Sequence, residues 1–264
     1  MSTPLNILQS AFGFDDFRPG QEEIIQGILK GESVLAVMPT GAGKSLCYQV
    51  PSQILPRPTI VVSPLVALMD NQVAGLRANG IAASCLHSGQ SREVNIAQWR
   101  DVTMGRSKIL YVSPERLMTG RMLSAMKALN PSLFVVDEAH CVSKWGPAFR
   151  PEYADLTRLH TLFPESHFAA FTATADDATR EDIAQQLFSR RGKIIVHGFD
   201  RPNLSLTVLP VDNRPRQLAN LLINQKGNSG IVYCLSRKNT EAYAKNLNDA
   251  GYTALSYHAG MSSE

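Results

Sequence analysis

The feature that most constrains this chain is the run VLAVMPTGAGKSLCYQV at residues 34–50. A short apolar strand candidate enters a glycine-rich turn, and the turn leads straight into a helix-compatible stretch. A turn of that kind presents backbone N–H groups and the positive end of a helix to phosphates. Lys44 is placed to reach the β- and γ-phosphates of a nucleotide, and Ser45 to ligate Mg²⁺. The strict eight-residue phosphate-loop pattern fails at its first position, which is Met38, but Gly41 and Gly43 keep the turn itself.

The rest of the chain alternates short apolar runs with helical ones. Strands are expected at 34–38, 59–62, 82–86, 109–112, 133–136, 168–171 and 194–197, and helices at 21–29, 65–78, 93–104 and 178–188. Several strands are continuous β-branched runs, which suits a parallel sheet covered on both faces. The fold class is therefore α/β, a parallel sheet flanked by helices. The texture then breaks at DRPNLSLTVLPVDNRPRQ, and the βα rhythm restarts with a helix from about 215, a strand at 230–235, a helix at 238–250 and a strand at 253–257. The expected organisation is a nucleotide-binding domain over 1–205, a linker over 206–216 and the opening of a second α/β domain over 217–264.

Composition decides less. A hydrophobic content of 44% supports an ordinary core, and a formal charge of +3 permits a nucleic-acid partner without arguing for one. Cys47, Cys85, Cys141 and Cys234 form no CxxC pair. That spacing gives neither a zinc signature nor a disulfide framework, and it suits reduced thiols in the cytoplasm. No apolar run approaches the roughly 20 residues of a membrane span.

A second chemical signal is LFVVDEAH at 133–140. An apolar strand ending in two carboxylates puts Asp137 and Glu138 at the sheet edge where ligands bind in open α/β folds. Asp137 would hold Mg²⁺ and Glu138 would orient and deprotonate the attacking water, because phosphoryl transfer needs positioning and charge neutralisation. On its own such a pair is more often a solvated strand end. About 95 residues after a phosphate loop it points to an NTPase.

PTGAGKS, VVSPLVALMDNQ, YVSPERL, DEAH and FTATA stand in the order found in superfamily 2 helicases, which the chain resembles. FGFDDFRPGQEEII, CVSKWGPAFRPEY and GFDRPNL resemble the RecQ group in particular, and the resemblance runs from Phe12 to Gly260. It implies a RecA-like fold, with the start of a second RecA-like domain after the linker. It also implies that Gln21 reads the adenine edge between Arg18 and Phe14, and that Thr40, Gly41, Gly43, Lys44 and Ser45 hold the phosphates and Mg²⁺. A glutamine amide offers a donor and an acceptor together, and guanidinium and aromatic planes both stack on a base. Phe17 is read as a packing residue of the N-terminal helix.

The same resemblance implies contacts to DNA. Ser63 and Pro64, with Ser113, end two strands and would face the backbone, where contacts position without reading sequence. Trp145 and Phe149 would stack on single-stranded bases and Arg150 would take a phosphate. Where relatives carry a His-Asp pair inside this aromatic loop, the chain has Pro147-Ala148. His140, Thr172 and Thr174 would couple the nucleotide site to domain movement, and Ser236, Arg237 and His258 would add backbone contacts in the second domain. The implied activity is ATP-driven 3′ to 5′ unwinding of DNA, including duplex junctions, in repair or recombination. ATP and Mg²⁺ are its cofactors, and oligomeric state stays open. An arginine finger and any zinc-binding region are expected after Glu264, so this chain is expected to keep ATP and DNA binding without complete motor activity. An RNA helicase and a non-catalytic, nucleotide-dependent DNA-binding module are the alternatives.

Overall fold

The computed structural model describes residues 3–143, 150–188, 192–198, 204–225 and 227–261. The chain divides into two compact units, Met1–Asp200 and Arg201–Glu264. The first is built on a seven-stranded parallel sheet: β1 (Val34–Val37), β2 (Thr59–Val62), β3 (Ala83–Leu86), β4 (Ile109–Val112), β5 (Leu133–Val136), β6 (His167–Thr172) and β7 (Lys193–Val196), in the order β3-β4-β2-β5-β6-β1-β7. Every residue of β1 to β5 is buried, which is why these strands read as unbroken apolar runs. Edge strand β7 buries only Ile195 and exposes Lys193, Ile194 and Val196.

Strand alternation sorts the core into two layers. Val34, Ala36, Val61, Tyr111, Val135 and Phe171 pack on one face with Ile24, Ile25 and Ile28 of the Gln21–Leu29 helix, and with Tyr48 and Val50 of the Leu46–Ile54 helix. Leu35, Val37, Ile60, Val62, Phe134 and Val136 pack on the other, against Met126 of the Gly120–Leu129 helix and against Ile183, Leu187 and Phe188 of the Asp177–Phe188 helix. Phe17 joins the first layer as a partly buried packing residue.

The chain leaves β1, passes over β6 and β5, and re-enters the sheet at β2. The loops after β1, β5 and β6 therefore gather at one carboxyl edge, which is where such sheets bind ligands.

The second unit holds helices Arg214–Leu222 and Arg237–Asp249, N-capped by Asn213 and Ser236. The expected strands at 230–235 and 253–257 are not formed. A parallel strand exists only by pairing with neighbours, and these segments lack a ladder: Tyr233, Leu235, Leu255 and Tyr257 are each at least 90% exposed.

Candidate nucleotide site and its coupling elements

Gly41 and Gly43 both adopt left-handed backbone, with φ of 82° and 81°, as the turn after β1 requires. A Cβ at Gly43 would lie 2.4 Å from Gln21 Nε2, so the second glycine is also enforced by packing. Lys44 Nζ crosses the loop and donates to the carbonyls of Met38 at 3.2 Å and Pro39 at 3.5 Å. Ser45 opens the Leu46–Ile54 helix, and Thr40 is exposed in the loop.

The FRPGQ turn is stitched to this loop. Gln21, 1% exposed, donates from Nε2 to the Ala42 and Gly43 carbonyls at 3.1 Å each and accepts from the Arg18 N–H at 2.9 Å. Arg18 Nη1 donates to the Gly41 carbonyl. Both ends of the Gln21 amide are thus engaged within the protein, and the residue fixes the loop's shape. Phe14 leaves 47% of its surface open.

At the end of β5, Asp137 N–H donates to the Val62 carbonyl at 2.9 Å, and Asp137 Oδ1 accepts from the Glu138 N–H at 3.0 Å. Burial pushes the Asp137 carboxyl up to about 6, and the neighbouring Glu138 charge adds to the rise; the Glu138 N–H and Lys44 oppose it. Glu138 has φ of 50°, a left-handed conformation that costs a non-glycine residue about 1 kcal/mol or more. That kink turns the chain into the Ala139–Val142 3₁₀ turn and brings His140 Nδ1 to 3.3 Å from Glu138 Oε2. The hydroxyl of buried Tyr153 donates to the Asp137 carbonyl at 3.2 Å, bracing the strand end. Tyr153 belongs to the FRPEY stretch, and sequence reading assigned it no role.

His140 Nδ1 also lies 2.9 Å from Thr172 Oγ1, at the end of β6. The Thr172 hydroxyl donates to the Thr174 carbonyl at 3.1 Å and accepts from the Thr174 N–H at 3.2 Å. Its single proton being spent, Thr172 is consistent with a His140 tautomer that carries its proton on Nδ1. The Thr172 carbonyl in turn accepts from the Met38 N–H at 3.0 Å. Phosphate loop, carboxylate pair and FTATA segment are therefore one bonded unit.

The positions read as DNA contacts divide. Arg150 Nη1 lies 3.5 Å from the Pro64 carbonyl, so two of them meet. Ser63 does not face outward: it is 1% exposed, its N–H donates to the Val112 carbonyl, and Pro64 and Leu65 supply the loop's surface. The Ser113 hydroxyl caps the Pro114–Leu117 helix by accepting from the Arg116 N–H. Trp145 and Phe149 lie outside the described residues. In the second unit, His258 Nε2 meets Glu241 Oε1 at 3.0 Å, and a Cβ at Gly260 would lie 2.9 Å from Arg237 Nη1, so these two candidates share one corner.

One cluster has no counterpart in the sequence reading. Asp70 Oδ1 lies 3.1 Å from His87 Nε2 and 3.6 Å from Cys85 Sγ, a grouping able to ligate a metal. His87 Nδ1, however, accepts the Gly89 N–H at 3.1 Å. That bond leaves the ring proton on Nε2, pointing at Asp70, the opposite of what metal ligation through Nε2 needs. The cluster is a closed His–Asp pair that pins the end of β3 to the Val66–Ala78 helix.

Together the fold, loop and carboxylate pair define a parallel α/β nucleotide-binding protein of the phosphate-loop class. The family model for DEAD/DEAH box helicases matches residues 18–183, and the chain belongs to that family. Among curated relatives it is 44% identical over 259 residues to "ATP-dependent DNA helicase RecQ" of Haemophilus influenzae and 43% identical over 259 residues to the protein of that name from Pasteurella multocida. Each match covers 98% of this chain but 42% and 41% of the relative, so the chain spans about two fifths of their length. Among solved structures, "DUF1998 helicase MrfA" aligns with a TM-score of 0.69 over 94% of this chain and 40% of that one, at 19% identity, a likeness of fold. No helix among the described residues is long and apolar enough to cross a membrane.

Proposed function

We propose that the chain is the nucleotide-binding part of an ATP-dependent DNA helicase of RecQ type, with the start of its second motor domain over 217–264. The observation that carries this reading is the bonded unit Met38–Thr172–His140–Glu138. It ties the loop that would hold phosphates to the carboxylate that would orient water and to the segment that follows β6. An ATPase that only turns over nucleotide has no need of such a tie, whereas a motor must transmit the nucleotide's state.

In this account Phe14 and Arg18 flank the adenine and Gln21 holds the turn beside it, while Thr40, Gly41, Gly43 and Lys44 cradle the phosphates. The hard oxygen donors Ser45 and Asp137 suit Mg²⁺. Burial of the Asp137 charge at this spot fits a dication, which relieves the cost. When bound, Mg²⁺ neutralises charge on the transferring phosphoryl group. Lys44 places the γ-phosphate, Glu138 orients and deprotonates the attacking water, and His140 holds Glu138 in register with Thr172. Pro64, Ser113, Arg150, Trp145 and Phe149 are the candidate DNA contacts of the first domain, and Ser236, Arg237 and His258 are those of the second. Movement 3′ to 5′, action on duplex junctions and a place in repair or recombination belong to the same proposal.

The test is Mg²⁺–ATP hydrolysis titrated with single-stranded DNA and, separately, with RNA of the same sequence. Stimulation by DNA at lower concentration than by RNA supports the reading. Preference for RNA transfers it to an RNA helicase. Nucleotide-dependent DNA binding with no hydrolysis under either titration reduces it to a binding module.

A further inference from the structure

The carboxyl end of edge strand β3 opens into a cavity of about 940 Å³ between the Arg92–Thr103 and Gly120–Leu129 helices. In the sheet β3 stands five strand spacings from β1, about 24 Å at about 4.8 Å each, so this cavity is separate from the phosphate loop. Arg92, Arg116 and Arg121 line it, each from a different helix. No Asp or Glu lines it, and among the described residues none of the three guanidiniums makes a hydrogen bond or an ion pair. The apolar part of the lining is half open. Leu86 is buried, Trp99 and Met122 are half-buried against the core, and Ile96 leaves 49% of its surface exposed.

One wall is already built. Asn95, 6% exposed, donates from Nδ2 to the carbonyls of His87 and Gln90 at 3.2 Å each and of Ser91 at 3.0 Å. Those bonds fix the 87–91 loop to the helix that follows it, so little ordering is left for a ligand to impose.

Three unpaired guanidiniums around one cavity repel one another and favour an anion, and the planar arginine fork matches a carboxylate in particular. The apolar lining asks for something else. Arginine, tryptophan and methionine are the residue types enriched where proteins meet, and an apolar patch with a polar rim marks such a place. A free inorganic anion would pair the arginines and leave the apolar lining wet. A nucleic-acid strand would cover that lining only by stacking its bases, which needs an open aromatic face, and Trp99 packs against the core. An acidic peptide that carries one large apolar side chain satisfies both halves of the cavity.

We propose that this cavity docks an acidic segment of a partner protein, with carboxylates on Arg92, Arg116 and Arg121 and one large apolar side chain against Leu86, Ile96, Trp99 and Met122.

The test is fluorescence anisotropy at about 0.15 M salt, which screens exposed charges beyond about 8 Å. The probe is a short labelled peptide of aspartates around one central leucine. Two control peptides carry serine for the leucine or asparagines for the aspartates. Binding of the probe should be saturable and should weaken about tenfold or more with either control. It should weaken by as much in the double variant Arg92→Glu, Arg121→Glu, whose positions are exposed, so its thermal midpoint should stay put. Arg116→Gln carries the test if the double variant does not fold. Binding of an ATP analogue should be the same in every variant. No saturable binding of the probe to wild type overturns the proposal, and so does binding that ignores the leucine, which is charge attraction alone. Displacement of the probe by single-stranded DNA, with DNA binding lost in the arginine variants, also overturns it and assigns the cavity to nucleic acid.

Discussion

Replacing Asp137 by asparagine should stabilise the fold while disabling the site. Burial raises the Asp137 carboxyl from 3.8 to about 6. A rise of about 2 pKa units corresponds to about 3 kcal/mol between the charged and neutral forms, and solvent access at the strand end brings this to about 1–3 kcal/mol. Because the folded pKa is the higher one, the folded protein binds the proton more tightly than the unfolded chain. The stability gained from protonation is fully present below about 3.8, and it is lost as pH rises through about 6. Above that pH the wild type bears the whole cost of an ionised, buried Asp137. Asparagine carries no charge and still accepts the Glu138 N–H. Thermal melts of the two proteins from pH 5 to pH 8 should therefore show a gain that grows through about pH 6 and levels off by about pH 7. For a domain of this size that is about 2–12 °C at the plateau. Mg²⁺–ATP should raise the wild-type midpoint by more than it raises that of Asp137→Asn, which keeps Lys44 and the glycine loop but loses a Mg²⁺ ligand. A gain independent of pH, or a variant less stable at pH 7.5, would refute the assignment of the cost to this carboxylate.

Other outcomes follow from the same geometry. His140→Ala removes the contacts to both Glu138 and Thr172, so binding of an ATP analogue should change by less than about twofold while any DNA stimulation of hydrolysis is lost; the stability cost should be about 1–2 kcal/mol. Gly43→Ala, at φ of 81° with a Cβ aimed at Gln21, should weaken analogue binding by more than about tenfold and destabilise by about 1–3 kcal/mol, read by fluorescence titration and thermal melting. Alkylation with iodoacetamide at pH 8 should label half-buried Cys234 first. Cys47 and Cys85 are buried and their thiols are pushed up to about 12, so peptide mapping should find them unmodified until the protein unfolds.

How much of this was legible beforehand depends on what each feature needed. β2, β4 and β5 fall where expected, residue for residue, because burial on both faces forces unbroken apolar runs with sharp ends. Lys44, Asp137 and Glu138 can be nominated from the sequence because the chemistry proposed for them is tied to a turn and a strand end, both local. Features set by long-range packing were not. Gln21 bonds to a loop more than 20 residues away, and Tyr153 reaches back to Asp137, pairings that no periodicity encodes. The Gly120–Leu129 helix is not among the helical segments singled out in the sequence, although Met122, Met126 and Leu129 share one face. Residues 230–235 and 253–257 erred the other way: strand propensity is present, but a strand also needs a neighbour. Ser63 is expected at the DNA backbone because the resemblance places the loop after β2 there, yet the burial of β2 extends through it.

In the proposed motor Lys44 holds nucleotide while Glu138 acts on the attacking water, two roles in one bonded unit. Analogue binding and basal Mg²⁺–ATP hydrolysis measured side by side in wild type, Lys44→Ala and Glu138→Gln separate them. Lys44→Ala should lose binding by more than about tenfold, and Glu138→Gln should bind like wild type while its hydrolysis falls by about a hundredfold or more. Wild-type hydrolysis by Glu138→Gln, or undiminished binding by Lys44→Ala, would contradict it.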